Sequence, residues 1–247
     1  VMGSHATGSG AWCSGPEDVS PPEYFWGYNR MTSIEGLFGA GDAVGGTPHA
    51  FSSGSFTEGR LAAKAACKYI DDGKAEGIVV SEKQIDRRRN EIYKPLEHYK
   101  TYRNAIVAGS VNPHYINPKQ GLDRLQKLMD EYCGGVTVNY MTNEKLLNIG
   151  LKKLAIMEED LESLAAKDIH ELLRAWELKH RHRAAECVTQ HTLFRKETRW
   201  PGYYYRGDAM KVDDENWHVL TVSRRDPQTG EYTMEKAPCY HLVGDDE

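Results

Sequence analysis

Residues 36–60, GLFGAGDAVGGTPHAFSSGSFTEGR, concentrate the residue types that can hold a ligand. Asp42 follows a short apolar run, and a carboxylate at the end of a strand can accept hydrogen bonds from sugar or ribityl hydroxyls. The glycines and proline after it require a loop, which carries His49. Ser52, Ser53, Gly54, Ser55 and Phe56 then lead into a helix start, where free N–H groups and a partial positive charge suit an oxygen or an anionic ring edge. Glycines such as Gly41 let the backbone come close to a planar group that side chains would keep away. The pyrophosphate fingerprint G-x-G-x-x-G is absent, because Gly39-Ala40-Gly41 runs on to Val44 where the third glycine belongs. The plainer alternative is a tight strand–loop–helix connection that binds nothing.

Two kinds of architecture must surround this segment. Twelve of the 23 glycines fall in the first 60 residues, whereas residues 136–201 contain only Gly150. The glycine-dense part predicts turns and close backbone approaches. Within it, residues 34–40 read as a short buried strand, and a helix is expected from about 56 to 70, with Ser55 and Glu58 as its capping box and Asp71-Asp72-Gly73 as its stop. A second helix starts after Ser81, with Gln84 completing a capping box, and runs towards Tyr99. Residues 104–120, with Pro113 and Pro118, read as an irregular connection.

The glycine-poor part predicts an antiparallel helical bundle. Leu122, Leu125, Met129 and Tyr132 share one helix face that Gly134-Gly135 terminates. A longer helix follows Asn143, with Leu147, Leu151, Leu154, Leu161 and Leu164 as its stripe. Asp168 and Glu171 cap a third, with Ile169, Leu172, Leu173 and Trp176 as its apolar face. After the aromatic run at 200–205 a hairpin is expected, from Trp217 to Ser223 and Glu231 to Met234, around Asp226-Pro227-Gln228-Thr229-Gly230.

Composition narrows the function. Net charge is −5 with both signs interspersed, and Arg87-Arg88-Arg89 lies between Asp86 and Glu91, so a solvated helix face is expected rather than a nucleic-acid surface. No apolar run approaches the roughly 18 residues of a membrane span. The opening residues lack a signal peptide's basic and apolar regions, and a glycine-rich loop is already in progress there, so the sequence reads as part of a longer chain. Cys13, Cys67, Cys133, Cys187 and Cys239 stand far apart and form no C-x-x-C pair, so no disulfide framework, zinc site or iron–sulfur site is suggested, and no metal is assigned. His170, His180, His182 and His191 lie on expected helices and are given packing roles. Arg199 and Arg206 are expected to pair on the surface with Asp213-Asp214 and Asp245-Asp246.

A resemblance enters at the flavin-type motif. GLF-x-A-G-D resembles the last FAD-contacting element of flavoproteins whose dinucleotide fold is split along the sequence. HAFSSGSFTEGR is similar to the flavin-facing helix start of the fumarate reductase and succinate dehydrogenase superfamily. Within it, GGTPHAFSSGSFTEGRLAAKAACKYI, QGLDRLQKLMDEYCGG, DIHELLRAWELKHR, HTLFRKETRWPGYYYRGD and DDENWHVL resemble the dissimilatory adenylylsulfate reductase alpha-subunit family along essentially the whole sequence. Dicarboxylate-reducing relatives carry an arginine four residues after the equivalent histidine. Ser53 stands there in this chain, which argues against fumarate or succinate.

The resemblance implies an α+β fold: the C-terminal part of a split FAD-binding dinucleotide fold over 1–120, a helical bundle domain over 121–200 and a short β-hairpin tail over 201–247. It implies reversible reduction of adenylylsulfate to AMP and sulfite through a flavin N5–sulfite adduct; the cysteine usage fits a reducing, cytoplasmic compartment. Gly41 and Asp42 would bind the ribityl or ribose side of FAD, Ser52, Ser53, Gly54, Ser55 and Phe56 would face the pyrimidine edge, and His49 would be the catalytic residue near the substrate sulfate. An iron–sulfur beta subunit is the implied partner in a heterodimer, with the clusters on that subunit. The 247 residues alone are expected to be inactive. Two alternatives remain at this point: a fumarate reductase or succinate dehydrogenase flavoprotein subunit, and a non-enzymatic helical interaction protein.

Overall fold

The computed structural model describes residues 9–45, 52–77, 79–105, 112–199 and 204–239. The chain forms two compact units, residues 1–81 with 242–247, and residues 82–241.

The first unit is mostly loop around one helix, α1 (Ser52–Asp71). Its alanine-rich middle, Leu61 to Ala66, supplies strong helix formers. Glu58, Ala62, Ala65 and Tyr69 form its buried face. The helix ends where Gly73, at φ +73°, donates its N–H to the Ile70 carbonyl at 2.9 Å. The start differs from expectation. The helix begins at Ser52, so Ser55 lies inside it rather than at a cap, and Glu58 turns away to an ion pair with Arg30, Arg30 Nη2 donating to Glu58 Oε1 at 3.0 Å.

The buried strand expected at 34–40 does not form. Ile34 and Leu37 are exposed at 63% and 51%, and a tight turn carries the chain through Gly36 at φ +76°. Only Phe38 makes a strand-like bridge, to Met31. The apolar run has the composition of a buried strand, but no sheet stands beside it among the described residues; it folds over the Tyr69 ring instead, with Phe38 edge-on to that ring at 6.0 Å.

The second unit is helical. It contains α2 (Glu82–Tyr102), α3 (Pro118–Tyr132), α4 (Glu144–Leu161) and α5 (Ile169–Phe194). α3 carries a full capping box: Asn117 accepts from the Gln120 N–H, and Gln120 reaches back to the Asn117 N–H. Asn143 and Asp168 cap α4 and α5 as their positions predict. Leu125, Leu128, Leu154, Met157, Leu161, Leu164, Ala175, Leu178 and Ala185 form one core. Leu164 belongs to it from beyond the end of α4, in the turn that bridges Ile116.

The expected face of α5 is shifted. Ile169 and Leu173 are exposed, and the buried line is Leu172, Ala175, Leu178, His182, Ala185 and Thr189. Small and polar members of that line hid it from a count of large apolar residues. His182 is 2% exposed and its Nε2 lies 2.8 Å from the Leu154 carbonyl, which satisfies the ring inside the core.

The described anchors of α2 lie from its middle onward. Pro95 removes one helical N–H, and around it the Trp176 indole donates to the Ile92 carbonyl and the Ala166 N–H to the Pro95 carbonyl, each at 3.0 Å. Every described residue from 79 to 94 is exposed, and Arg88 and Arg89 pair only with Glu91 and Asp86 on their own helix, a solvated face as expected.

Two small sheets complete the unit. β1 (Met141–Thr142) lies parallel to β2 (Tyr205–Arg206). A short helix α6 (Asp214–Trp217) leads into the hairpin of β3 (Val219–Arg225) and β4 (Tyr232–Pro238), in register from Val219 opposite Pro238 to Arg225 opposite Tyr232. The Asp226 carboxylate accepts the Gln228 and Thr229 N–H groups, and Gly230 closes the turn at φ +76°.

Arg206 is not on the surface; it is 1% exposed. Its Nη1 donates to the carbonyls of Thr192, Leu193 and Arg195 at the C-terminal end of α5, and its other edge grips Asp208 at 2.9 and 3.0 Å. Asp208 also accepts the Glu144 N–H, at the start of α4. A cation thus sits at one helix's negative end and an anion at another's positive end. The hydrogen bond from Arg206, against the opposing effect of burial, holds the Asp208 carboxyl down at about 2. Arg199 pairs with Asp214, as expected, but its main partner is Glu197, a carboxylate with no exposed side-chain area that Arg195 also clasps. Asp245 and Asp246 lie outside the described residues.

Candidate functional site

The candidate site residues that are described all lie in the first unit. Residues Gly41–Ala43 form a single 3₁₀ turn, and Gly41 at φ +61° takes a left-handed conformation that a side chain would strain. The turn is held from outside by a short strand-like pairing: the Ala11 N–H donates to the Ala43 carbonyl at 2.7 Å, and the Gly45 N–H to the Ala11 carbonyl at 2.9 Å. The two chain segments lie so close that a Cβ on Gly10 would sit 2.7 Å from three backbone atoms of residues 43–45. That approach leaves Asp42 exposed at the turn, without a hydrogen bond to another described residue.

The first turn of α1 stands against this turn. A Cβ on Gly41 would lie 3.1 Å from Ser55 Oγ, so only glycine lets the acidic turn and the helix start meet. Gly41, Asp42 and Ser55 are therefore brought together. Ser52 and Ser53 lie exposed on the same helical turn, Gly54 is half-buried, and Phe56 projects with 80% exposure. His49 lies outside the described residues. The arrangement sets a free carboxylate acceptor beside a helix start whose first N–H groups have no intrahelical partner. Such a pair accepts hydroxyls on one side and receives carbonyl oxygens or negative charge on the other.

Behind the turn, the Arg30–Glu58 pair ties α1 to the loop at 28–31, and Ser14, fully buried, accepts the Trp26 N–H at 2.8 Å. Burial pushes the Cys13 thiol up from its ordinary value, opposed by the hydrogen bond with Gly39 and by Arg30. Neither Arg30 nor Ser14 was singled out in the sequence. Arg30 itself adopts φ +63°, a conformation rare for a side-chain-bearing residue.

Residues 122–241 match the family described as "Fumarate reductase flavoprotein C-term". Across its whole length the chain is 40% identical to the adenylylsulfate reductase subunit alpha of Megalodesulfovibrio gigas. It superposes on the adenylylsulfate reductase structure from the hyperthermophile Archaeoglobus fulgidus over 95% of its length, at 49% identity and a TM-score of 0.89. Along its whole length it is similar to the adenylylsulfate reductase alpha subunit. The same likeness, 49% identity at a TM-score of 0.89, holds for an adenosine-5-phosphosulfate reductase solved in complex with sulfite as a covalent adduct. The chain spans less than two fifths of these alpha subunits, 38% of the M. gigas protein and 37% of the A. fulgidus chain.

This likeness agrees with the mixed helix-and-sheet architecture and with the family match over residues 122–241. Among the described residues no group of three or more His, Cys, Asp or Glu side chains is placed to hold a metal, and no helix is long and apolar enough to cross a membrane. The five cysteines are free.

Proposed function

We propose that this chain is part of a subunit that carries FAD and reduces adenylylsulfate to AMP and sulfite, reversibly. The likeness to the A. fulgidus enzyme over 95% of the chain is the observation that supports this reading most. The first unit fits the cofactor in chemistry. Asp42, exposed and without a described partner, would accept hydroxyls of the ribityl or ribose portion. The α1 start at Ser52, Ser53, Gly54, Ser55 and Phe56 would donate to the carbonyl-bearing edge of the ring system, and Gly41 keeps the two elements within reach. His49 follows that loop in sequence and would meet the substrate's sulfate. FAD, when bound, would supply the two-electron exchange with sulfur.

The protein's own part is orientation and charge. AMP is a good leaving group at neutral pH, so its departure depends more on electrostatic stabilisation than on a strong general acid. Electrons would come from an iron–sulfur beta subunit bound as a heterodimer, and the enzyme would work in the cytoplasm. We assign 1–120 to the FAD-binding side of a split dinucleotide fold, 121–200 to the helical domain and 201–247 to the tail; the compact units likewise separate a loop-rich part from a helical one, but divide at 81/82.

The test uses the full-length subunit expressed with its iron–sulfur partner. Sulfite should bleach the oxidised-flavin absorption, and AMP with an electron acceptor should restore it. Bleaching by succinate but not by sulfite would overturn the substrate, and a protein without flavin absorption would overturn the enzyme reading. The 247-residue chain alone should show no turnover.

A further inference from the structure

The C-terminal hairpin is fastened to α5 along a polar ladder. Cys187 and His191 on α5, and Arg195 just past its end, recur every four residues along one side. Ser223, Thr221 and Val219 oppose them, every second residue of β3 and running the other way. Four helical residues rise about 6 Å and two strand residues about 6.6 Å, so the two series stay in step. Cys187 Sγ lies 3.8 Å from Ser223 Oγ. His191 bridges two hydroxyls, Nδ1 to Thr221 Oγ1 at 3.0 Å and Nε2 to Ser223 Oγ at 2.9 Å. Arg195 donates to the Val219 carbonyl at 2.6 Å and the Trp217 carbonyl at 2.8 Å. Phe194 edge-on to Trp217 at 5.6 Å and the buried Ala237 are apolar additions to this ladder.

His191 is the middle rung and the one group there that changes charge near neutral pH. Its neutral ring offers one donor and one acceptor, and the two hydroxyls can complement both. The two hydroxyls can accept from either charge state, so what opposes a cation is burial and the basic groups that face the ring. The groups around it are Arg195 and Cys187 from α5 and its end; on β3, the two hydroxyls, with Arg225 one rung beyond Ser223; on β4, Lys236 opposite Thr221, and Tyr232 beyond Met234. The nearby carboxylates are engaged elsewhere, Glu186 by Arg183 and Arg225, and Glu197 by Arg195 and Arg199.

We propose that His191 is a pH-sensitive latch: neutral, it holds the β3–β4 hairpin on α5, and protonated, it loosens the hairpin while the helical core stays folded. Burial first, and Arg195 second, lower the ring's pKa in the docked state. Docking is therefore at full strength above the free-histidine value of about 6.5 and weakens as pH falls from there.

The experiment is amide hydrogen exchange of the full-length subunit at pH 7.5 and 5.5, corrected for intrinsic rates, with α4 as internal reference. Hairpin amides should lose protection at pH 5.5, by up to about tenfold because that pH lies one unit below the free-histidine value, while α4 holds. His191→Gln, whose amide retains a donor and an acceptor, should keep the hairpin protected at both pH values. Equal pH responses in the two proteins, or none in the wild type, would overturn the latch. If His191→Gln leaves the hairpin unprotected even at pH 7.5, the decision passes to the wild-type ring itself, whose titration is followed by NMR in the full-length subunit. A ring that titrates at or above the free-histidine value overturns the proposal.

Discussion

Residues 9–81 bury Met31, Val44, Ala62, Ala65 and Tyr69 but leave Ile34, Leu37, Phe56 and Ile70 exposed, whereas residues 82–239 close a continuous core of leucines around α3, α4 and α5. The first region is shaped by backbone: strand-like bridges, glycines packed against neighbouring chain, and one shielded ion pair. The second is shaped by side chains. A region defined by backbone approach can hold a ligand closely, but it has little apolar area of its own with which to resist unfolding. A helical region with a full core resists unfolding and tolerates surface change. The two should therefore respond to different kinds of substitution.

The largest expected effect is in the helical unit, at Arg206. Arg206→Met removes the cation that caps α5 and leaves Asp208 without its partner at the start of α4. Breaking one side of a buried pair costs about 3–5 kcal/mol. The thermal midpoint of the 247-residue chain, followed by helical circular dichroism, should fall by roughly 10 °C. The same link has its own pH window. Because the Asp208 pKa is lowered, to about 2, the link's contribution is complete above the ordinary aspartate value of about 3.9 and is lost as pH falls from there. The wild type should lose stability across that window more than Arg206→Met does. An equal loss would show that the pair does not couple the two helix ends.

This unit was also the more legible one. Asn143 and Asp168 announced their helices, because an N-cap is a local hydrogen bond between neighbours in sequence. The hairpin turn at Asp226 was legible for the same reason. The face of α5 was misjudged because Ala175, His182 and Thr189 are buried by the packing of other helices, which no local pattern reports. Arg206 looked like a surface residue because its partners, the end of α5 and Asp208, converge only in the folded chain. In the first unit the motif around Asp42 was visible, but its positioning was not. Residues 34–40 had a strand's composition without a sheet to join, and Glu58 had a capping box's spacing while its partner was Arg30.

A smaller effect, and one of a different kind, is expected in the first unit. Gly10→Ala would place a methyl group 2.7 Å from Ala43 O, Gly45 N and Val44 C, backbone atoms that cannot rotate away. The turn carrying Asp42 must shift, while α3, α4 and α5 have no reason to respond. In the full-length subunit, FAD retention should weaken by about tenfold, equivalent to roughly 1.4 kcal/mol. The unfolding midpoint of the helical unit should stay where it was, because effects at separated sites are independent to about 0.5 kcal/mol. Normal flavin content in this variant would break the contrast, since the loop's shape would then not be what holds the cofactor.

The smallest effect is expected on α2. Arg88 Nη1 pairs with Glu91 at 2.7 Å, but the two side chains are 67% and 49% exposed. Such a pair is worth little, because water and salt screen it and both side chains give up freedom to form it. Alanine also favours the helix slightly more than arginine does. Arg88→Ala should therefore change stability by less than about 0.5 kcal/mol, measured as the urea midpoint of the 247-residue chain at low and high salt. A clear salt-dependent loss would mean that the start of α2 is held by charge, unlike the stretch around Pro95, where Trp176 binds the Ile92 carbonyl and Ala166 the Pro95 carbonyl.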